Sequence, residues 1–139
     1  METYQELKKR QEQETNAFPF GFAFSTSQFK EMMEKWGLTV NDTDKIYSIG
    51  MGGYVQKKDS DAMHQMMARH KKELQDAIDA DTAGDGFIKQ MFLYELANHE
   101  FGYTGDLEET LDALNISSKD LEQHENLKTG LVLAISEVD

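Results

Sequence analysis

The alternation of apolar and polar positions divides the chain into segments of helical and strand-like period, and one segment organises the rest. From Asp85 to Phe101 the sequence reads DGFIKQMFLYELANHEF. Phe87, Ile88, Met91, Phe92, Leu93, Tyr94, Leu96, Ala97 and Phe101 point almost all the way round a helix, so the segment must be covered on several sides. The remaining segments read as amphipathic pieces able to cover it.

Thr3-Tyr4-Gln5-Glu6 reads as a capping box opening a first helix to about Thr15. Only Tyr4 and Leu7 are clearly apolar there, which predicts a lightly packed helix. From Phe18 to Ser25 aromatic and small residues alternate with period two, predicting a strand from about Phe20 with Pro19 at its start. One face of that strand would be a row of phenylalanines placed in the core, and the other would be nearly bare. Ser25-Thr26-Ser27-Gln28 caps a second helix with Phe29, Met32, Met33 and Trp36 on one face and Gly37 as its stop. Lys45–Ile49 and Tyr54–Lys57, joined by Gly50-Met51-Gly52-Gly53, predict a hairpin. Asp59 or Ser60 starts a third helix to about Ala80, with Met63, Met66, Met67, His70, Leu74, Ala77 and Ile78 at helical spacing. Leu107, Leu111 and Leu114 belong to a short helix opened at Asp106. Ser117-Ser118-Lys119-Asp120 begins a last helical region with a break expected near Asn126 or Gly130.

The fold class that follows is α+β and helix-dominated, with a small antiparallel sheet of about three strands packed against a helical cluster around the central apolar helix. At 139 residues a single domain is expected. Residues 1–17 would form the loosely packed helix, 18–58 a β-α-β-β unit and 59–139 the helical cluster. No cysteine is present, which excludes disulfides and thiolate chemistry. No apolar run approaches the roughly 20 residues that span a bilayer. The opening METYQELKKRQEQET lacks the apolar stretch of a secretory signal, so a soluble, cytoplasmic protein is expected.

Charge changes this picture by region. The net charge is −12. Residues 1–70 carry 10 acids and 9 bases, whereas residues 71–139 carry 16 acids and 5 bases. Such a field repels nucleic acid and membranes and attracts basic protein surfaces. The acidic residues expected to face a partner are Glu73, Asp76, Asp79, Asp81, Asp106, Glu108, Glu109 and Asp112.

Candidate chemistry is sparse. Asp79–Ile88 is calcium-loop-like, but starting at Asp79 puts Ala83 at position 5 and Gln90 at position 12, and starting at Asp81 puts Ala83 at position 3. Neither register closes the coordination sphere, and aspartates capping helix ends account for the same residues. Glu95 and His99 lie four apart on the central helix, with His64 and His70 on another. Imidazole and carboxylate are zinc ligands, yet there is no HExxH and no carboxylate trio, so a Glu–His pair supporting the helix is expected, with no metal and no cofactor. Gly50–Gly53 continues into a strand rather than opening a helix, unlike a phosphate-cradling loop. No serine stands in a nucleophile motif, and no catalytic residue is assigned. The alternative to a binding surface is a small-ligand or metal pocket between sheet and central helix, formed by Tyr47, Tyr54, His64, Glu95 and His99. A third reading makes the methionine-rich third helix an oligomer interface.

Phe22-Ala23-Phe24-Ser25, Thr43–Gly50 with Gly52-Gly53-Tyr54, Gly84–Ile88 and Tyr94–Glu100 resemble a family of short, uncharacterised acidic proteins of gut bacteria, their phages and mobile elements. The matching pieces run from about Phe18 to Leu131. The family brings no catalytic residues to carry over. The resemblance implies a setting in which small acidic proteins inhibit a host defence system. Together with the charge, it leads to the expectation of a non-enzymatic interaction protein. Its partner would be a basic protein surface, such as that of a host nucleic-acid-binding protein, with no direct contact to nucleic acid.

Overall fold

The computed structural model describes residues 1–138. Its helices are α1 (Tyr4–Ala17), α2 (Thr26–Lys35), α3 (Ser60–Ala80), α4 (Phe87–Asn98), α5 (Phe101–Thr104), α6 (Glu108–Ala113), α7 (Ser118–Gln123) and α8 (Glu125–Glu137). Its strands are β1 (Gly21–Phe22), β2 (Ile46–Gly50) and β3 (Gly53–Gln56), so the fold is α+β and helix-dominated. The chain divides into two compact units, residues 12–70 and residues 1–11 together with 71 onward. The boundaries fall within α1 and within α3.

In the unit built on α4, the central helix is enclosed as its sequence demands. Ile88, Met91, Phe92 and Leu96 are fully buried and Phe87 nearly so. Each such side chain contributes roughly 1.5–3 kcal/mol on burial. Tyr4 and Leu7 of α1, Ile78 of α3, Leu114 beside α6, and Leu127, Leu131 and Ala134 of α8 complete this core. The first helix is therefore not loosely packed at its start: its two apolar residues are both core residues. The Thr3 capping box closes as well, with Thr3 N–H donating to Glu6 Oε1 at 3.0 Å and Glu6 N–H to Thr3 Oγ1 at 3.2 Å.

The central helix ends at Asn98, earlier than the apolar pattern predicts. Glu100 adopts left-handed backbone (φ +55°), which turns the chain into α5. The break in the last helical region also moves. It sits at His124, whose extended backbone separates α7 from α8, and α8 then runs unbroken through Gly130. Gly130 serves close packing instead: a Cβ there would lie 2.4 Å from Ile88 Cγ2 and 2.7 Å from the Gly84 carbonyl oxygen. Asn126 donates its amide to the Ile78 and Asp81 carbonyls at 3.3 and 3.2 Å.

In the other unit the strands run antiparallel in the order β1-β3-β2, with Gly21 opposite Tyr54 and Tyr47 opposite Val55. Ser25 caps α2 by accepting from Gln28 N–H, and Gly37 (φ +72°) ends it. The period-two reading of the aromatic segment is correct, but inside and outside are exchanged. Gly21 and Ala23 are buried, while Phe22 and Phe24 are 61% and 75% exposed. The reason is α2, which lies so close that a Cβ on Gly21 would meet Met32 Sδ at 2.5 Å and the Trp36 ring at 2.6 Å. The bare face is where a helix can approach, so it becomes the interior. Met32, Met33, Ile46 and Ala23 form that unit's core, with Phe29, Trp36, Leu38 and Tyr54 against it.

Candidate functional site

A carboxylate on an apolar helix needs partners, because an unpaired buried charge costs several kcal/mol. Glu95 of α4 is 2% exposed. Its partners come from α1, where Tyr4 and Lys8 stand four apart and so share a face. Tyr4 Oη donates to Glu95 Oε1 at 2.9 Å and Lys8 Nζ to the same oxygen at 2.7 Å. The ammonium also lies 4.9 Å from the Tyr94 ring centroid, within cation–π range. Thr110 of α6, fully buried, directs its hydroxyl toward the Glu95 carbonyl at 3.4 Å.

His99, one turn along α4, has its buried Nε2 3.4 Å from Glu95 Oε2, in a geometry that falls short of a hydrogen bond. Its Nδ1 lies 3.7 Å from Glu109 Oε2. Glu95 and His99 are thus brought together on one face of α4. The open groove over α4, about 610 Å³, is walled by other residues, among them Thr3, Gln90, Leu93, Tyr94 and Ala97. No cluster of three or more His, Asp or Glu side chains placed to hold a metal ion occurs among the described residues. The arrangement joins α1, α4 and α6.

The other pocket candidates belong to the 12–70 unit. Tyr54 meets Phe29 edge-on at 5.5 Å, Tyr47 lies half exposed under Lys57 Nζ at 4.9 Å, and the exposed His64 reaches Ser60 Oγ at 3.5 Å.

The acidic candidates separate into two kinds. Glu73 accepts from Arg10 at 3.0 Å and from Gln11 at 3.2 Å, and the Arg10 guanidinium is held charged by Glu2 and Glu73. Asp76 pairs with Lys72 at 2.7 Å and raises the lysine's pKa, while Asp79 accepts from Gln75 at 2.9 Å. Asp81 is a structural staple. Its carboxylate accepts the backbone N–H groups of Gly84, Gly86 and Ile88 at 3.1, 3.1 and 2.9 Å, fixing the loop that opens α4. Of the aspartates in the calcium-like loop, Asp81 thus caps the start of α4, while Asp79 accepts from Gln75 on α3.

Asp106, Glu108, Glu109 and Asp112 are different. They fall within seven residues at and before α6, all exposed. Asp106 Oδ1 accepts from Glu108 N–H at 2.9 Å. Among the described residues, no lysine or arginine pairs with any of the four. Of the unit's eight lysines and arginines, four are engaged elsewhere: Lys8 on Glu95, Arg10 on Glu2 and Glu73, Lys72 on Asp76 and Lys89 on Glu137.

Residues 3–137 match a family of unknown function, DUF7659. The chain belongs to the DUF7659 family. No curated protein and no solved structure matches it. The DUF7659 match covers both units, from the Thr3 capping box to Glu137 at the end of α8. Among the described residues of this DUF7659 chain, no helix is long and apolar enough to cross a membrane.

Sequence reasoning missed Tyr4, Lys8 and Thr110 as partners of Glu95. A signal existed for the first two: a buried glutamate on an apolar helix calls for a cation, and Lys8 follows Tyr4, one of the two buried residues of α1, at helical spacing. Thr110 carried no comparable signal.

Proposed function

We propose that this chain is a non-enzymatic interaction protein whose acidic α6 region meets a basic surface on a protein partner. The observation that supports the reading most is a local concentration: Asp106, Glu108, Glu109 and Asp112 stand exposed within seven residues with no lysine or arginine partner among the described residues, whereas Glu73, Asp76 and Glu95 are each paired with one. Their unit holds 18 Asp and Glu against 8 Lys and Arg, a balance of −10, whereas residues 12–70 hold 8 against 6. Carboxylates on a short helix and the loop before it would stand in for the charges of a phosphate backbone. They would occupy a groove built for phosphates, gaining association rate from steering more than affinity from any one pair. The resemblance to acidic proteins of gut bacteria, their phages and mobile elements extends the proposal to the partner's class, a host nucleic-acid-handling or defence protein. The chain would be its inhibitor, in the cytoplasm, with no nucleic acid of its own.

Affinity capture from lysate at two ionic strengths tests this. The wild-type chain is expected to retain basic proteins at low salt and to release them at higher salt, where the Debye length shrinks. The triple variant Asp106→Lys, Glu108→Lys, Asp112→Lys, which leaves Glu109 beside His99, should retain none of them. An identical captured set for both chains would overturn the reading.

A further inference from the structure

Among the described residues, one buried side-chain polar atom has no hydrogen-bond partner, the Nε2 of His99. Buried polar atoms are nearly always paired, so an orphan marks a place where a proton, a water or a strain is at work. His99 is the C-cap of α4, and three helices set its surroundings. On its own helix Glu95 Oε2 lies 3.4 Å from Nε2, and on α6 Glu109 Oε2 lies 3.7 Å from Nδ1. From α1, Lys8 Nζ and Tyr4 Oη reach the other oxygen of Glu95. Glu100 follows the histidine in the chain. Both groups against the ring nitrogens are therefore carboxylates, which only accept. A neutral imidazole has a single N–H, so one nitrogen must turn its lone pair toward a carboxylate; an imidazolium has two and serves both. The C-terminal end of a helix also favours a cation, because the macrodipole leaves partial negative charge there. Lys8 opposes a second cation nearby, but it sits on Oε1, whereas the ring faces Oε2.

We propose that His99 is a proton-operated latch: as the imidazolium it donates to Glu95 and Glu109 together and clamps α6 against the end of α4, and as the neutral ring it releases Glu109. Closing the latch shortens both contacts toward the length of a charge-assisted hydrogen bond, about 2.7–2.9 Å. The ring is 24% exposed, so solvent delivers and removes the proton. Glu109 is 73% exposed and free to swing between the two states. The stability contributed by the latch is present at low pH, where imidazole is charged, and is lost as pH rises through the histidine range, between about pH 5 and 8. Because α6 also carries Glu108 and Asp112, the same proton sets how firmly those carboxylates are held and withdraws Glu109 from among them. That last consequence rests on the acidic-surface reading, whereas the latch itself does not.

Amide hydrogen exchange over residues 108–113, with urea denaturation alongside, decides it on the chain alone at pH 5.5 and pH 8. Wild type is compared at each pH with His99→Gln, which cannot take up the proton, and with Glu109→Gln, which removes one of its two carboxylates. At pH 5.5 the wild-type amides of α6 are expected to exchange about two- to fivefold more slowly than those of either variant. At pH 8 the three chains should agree, and the wild-type advantage in urea midpoint should shrink in step. An advantage over His99→Gln of the same size at both pH values overturns the latch. So does a Glu109→Gln chain whose α6 is protected like wild type at pH 5.5. Should His99→Gln fail to fold, Glu109→Gln, altered at an exposed position, decides alone. Neither measurement uses a partner, so the latch and the acidic surface can fail separately.

Discussion

The two units solve the same problem in opposite ways. Around α4, apolar side chains fill the interior and the exterior is left to carboxylates. In the 12–70 unit, Gly21 and Ala23 lie inside so that α2 can approach, and phenylalanines are left outside. The difference teaches that an apolar side chain is buried where geometry leaves no alternative and displaced where a closer contact is available. A helix that is apolar on nearly every side has no outward face to choose. A strand with large and small residues alternating has two candidate interiors, and the neighbouring helix decides between them.

The largest expected effect tests that contrast between two phenylalanines. Phe92→Ala should cost about 3–5 kcal/mol by emptying the core around α4. Phe24→Ser should cost less than about 0.5 kcal/mol, as for other surface positions. Urea denaturation measures both, and comparable losses would erase the distinction. Next comes the buried ion pair. Lys8→Met should cost about 3 kcal/mol because it leaves Glu95 charged without its cation, and adding Glu95→Leu should recover most of that loss. A double variant no better than the single one would mean the polar pair has a role beyond joining α1 to α4. Gly21→Val should cost roughly 1–3 kcal/mol by pushing α2 off the sheet. Trp36 is the only tryptophan, so its fluorescence should report this change directly.

The smallest effect is a pH dependence carried by partly exposed carboxylates. Arg69 and then His70 hold Glu14 below the usual glutamate range, and the Ser117 backbone N–H does the same for Asp120. Folded values below the unfolded ones contribute stability above the ordinary carboxylate range, and that contribution fades as pH falls through and below it. Thermal unfolding should therefore shift modestly downward on acidification below about pH 4, and Asp120→Asn should flatten part of the shift.

The sequence made the elements and the fold class legible because caps and stops are local. Ser25, Gly37 and Ser117 mark their helices' ends through their own local chemistry. What it concealed was relational. The inward face of β1 depends on α2, the use of Gly130 depends on Ile88, and the turn at Glu100 depends on where Phe101 must pack. The acidic candidates show the same limit. Composition groups Asp81 with Asp106, but only the three backbone amides on Asp81 separate a loop staple from a solvent-facing carboxylate.

Amide hydrogen exchange of the chain alone and in complex with a captured basic partner tests the central claim most directly, because it reads both units at once. The account predicts slowed exchange over residues 106–112 with no additional protection over 46–53. Protection confined to the hairpin, or absent from the α6 region, would contradict it.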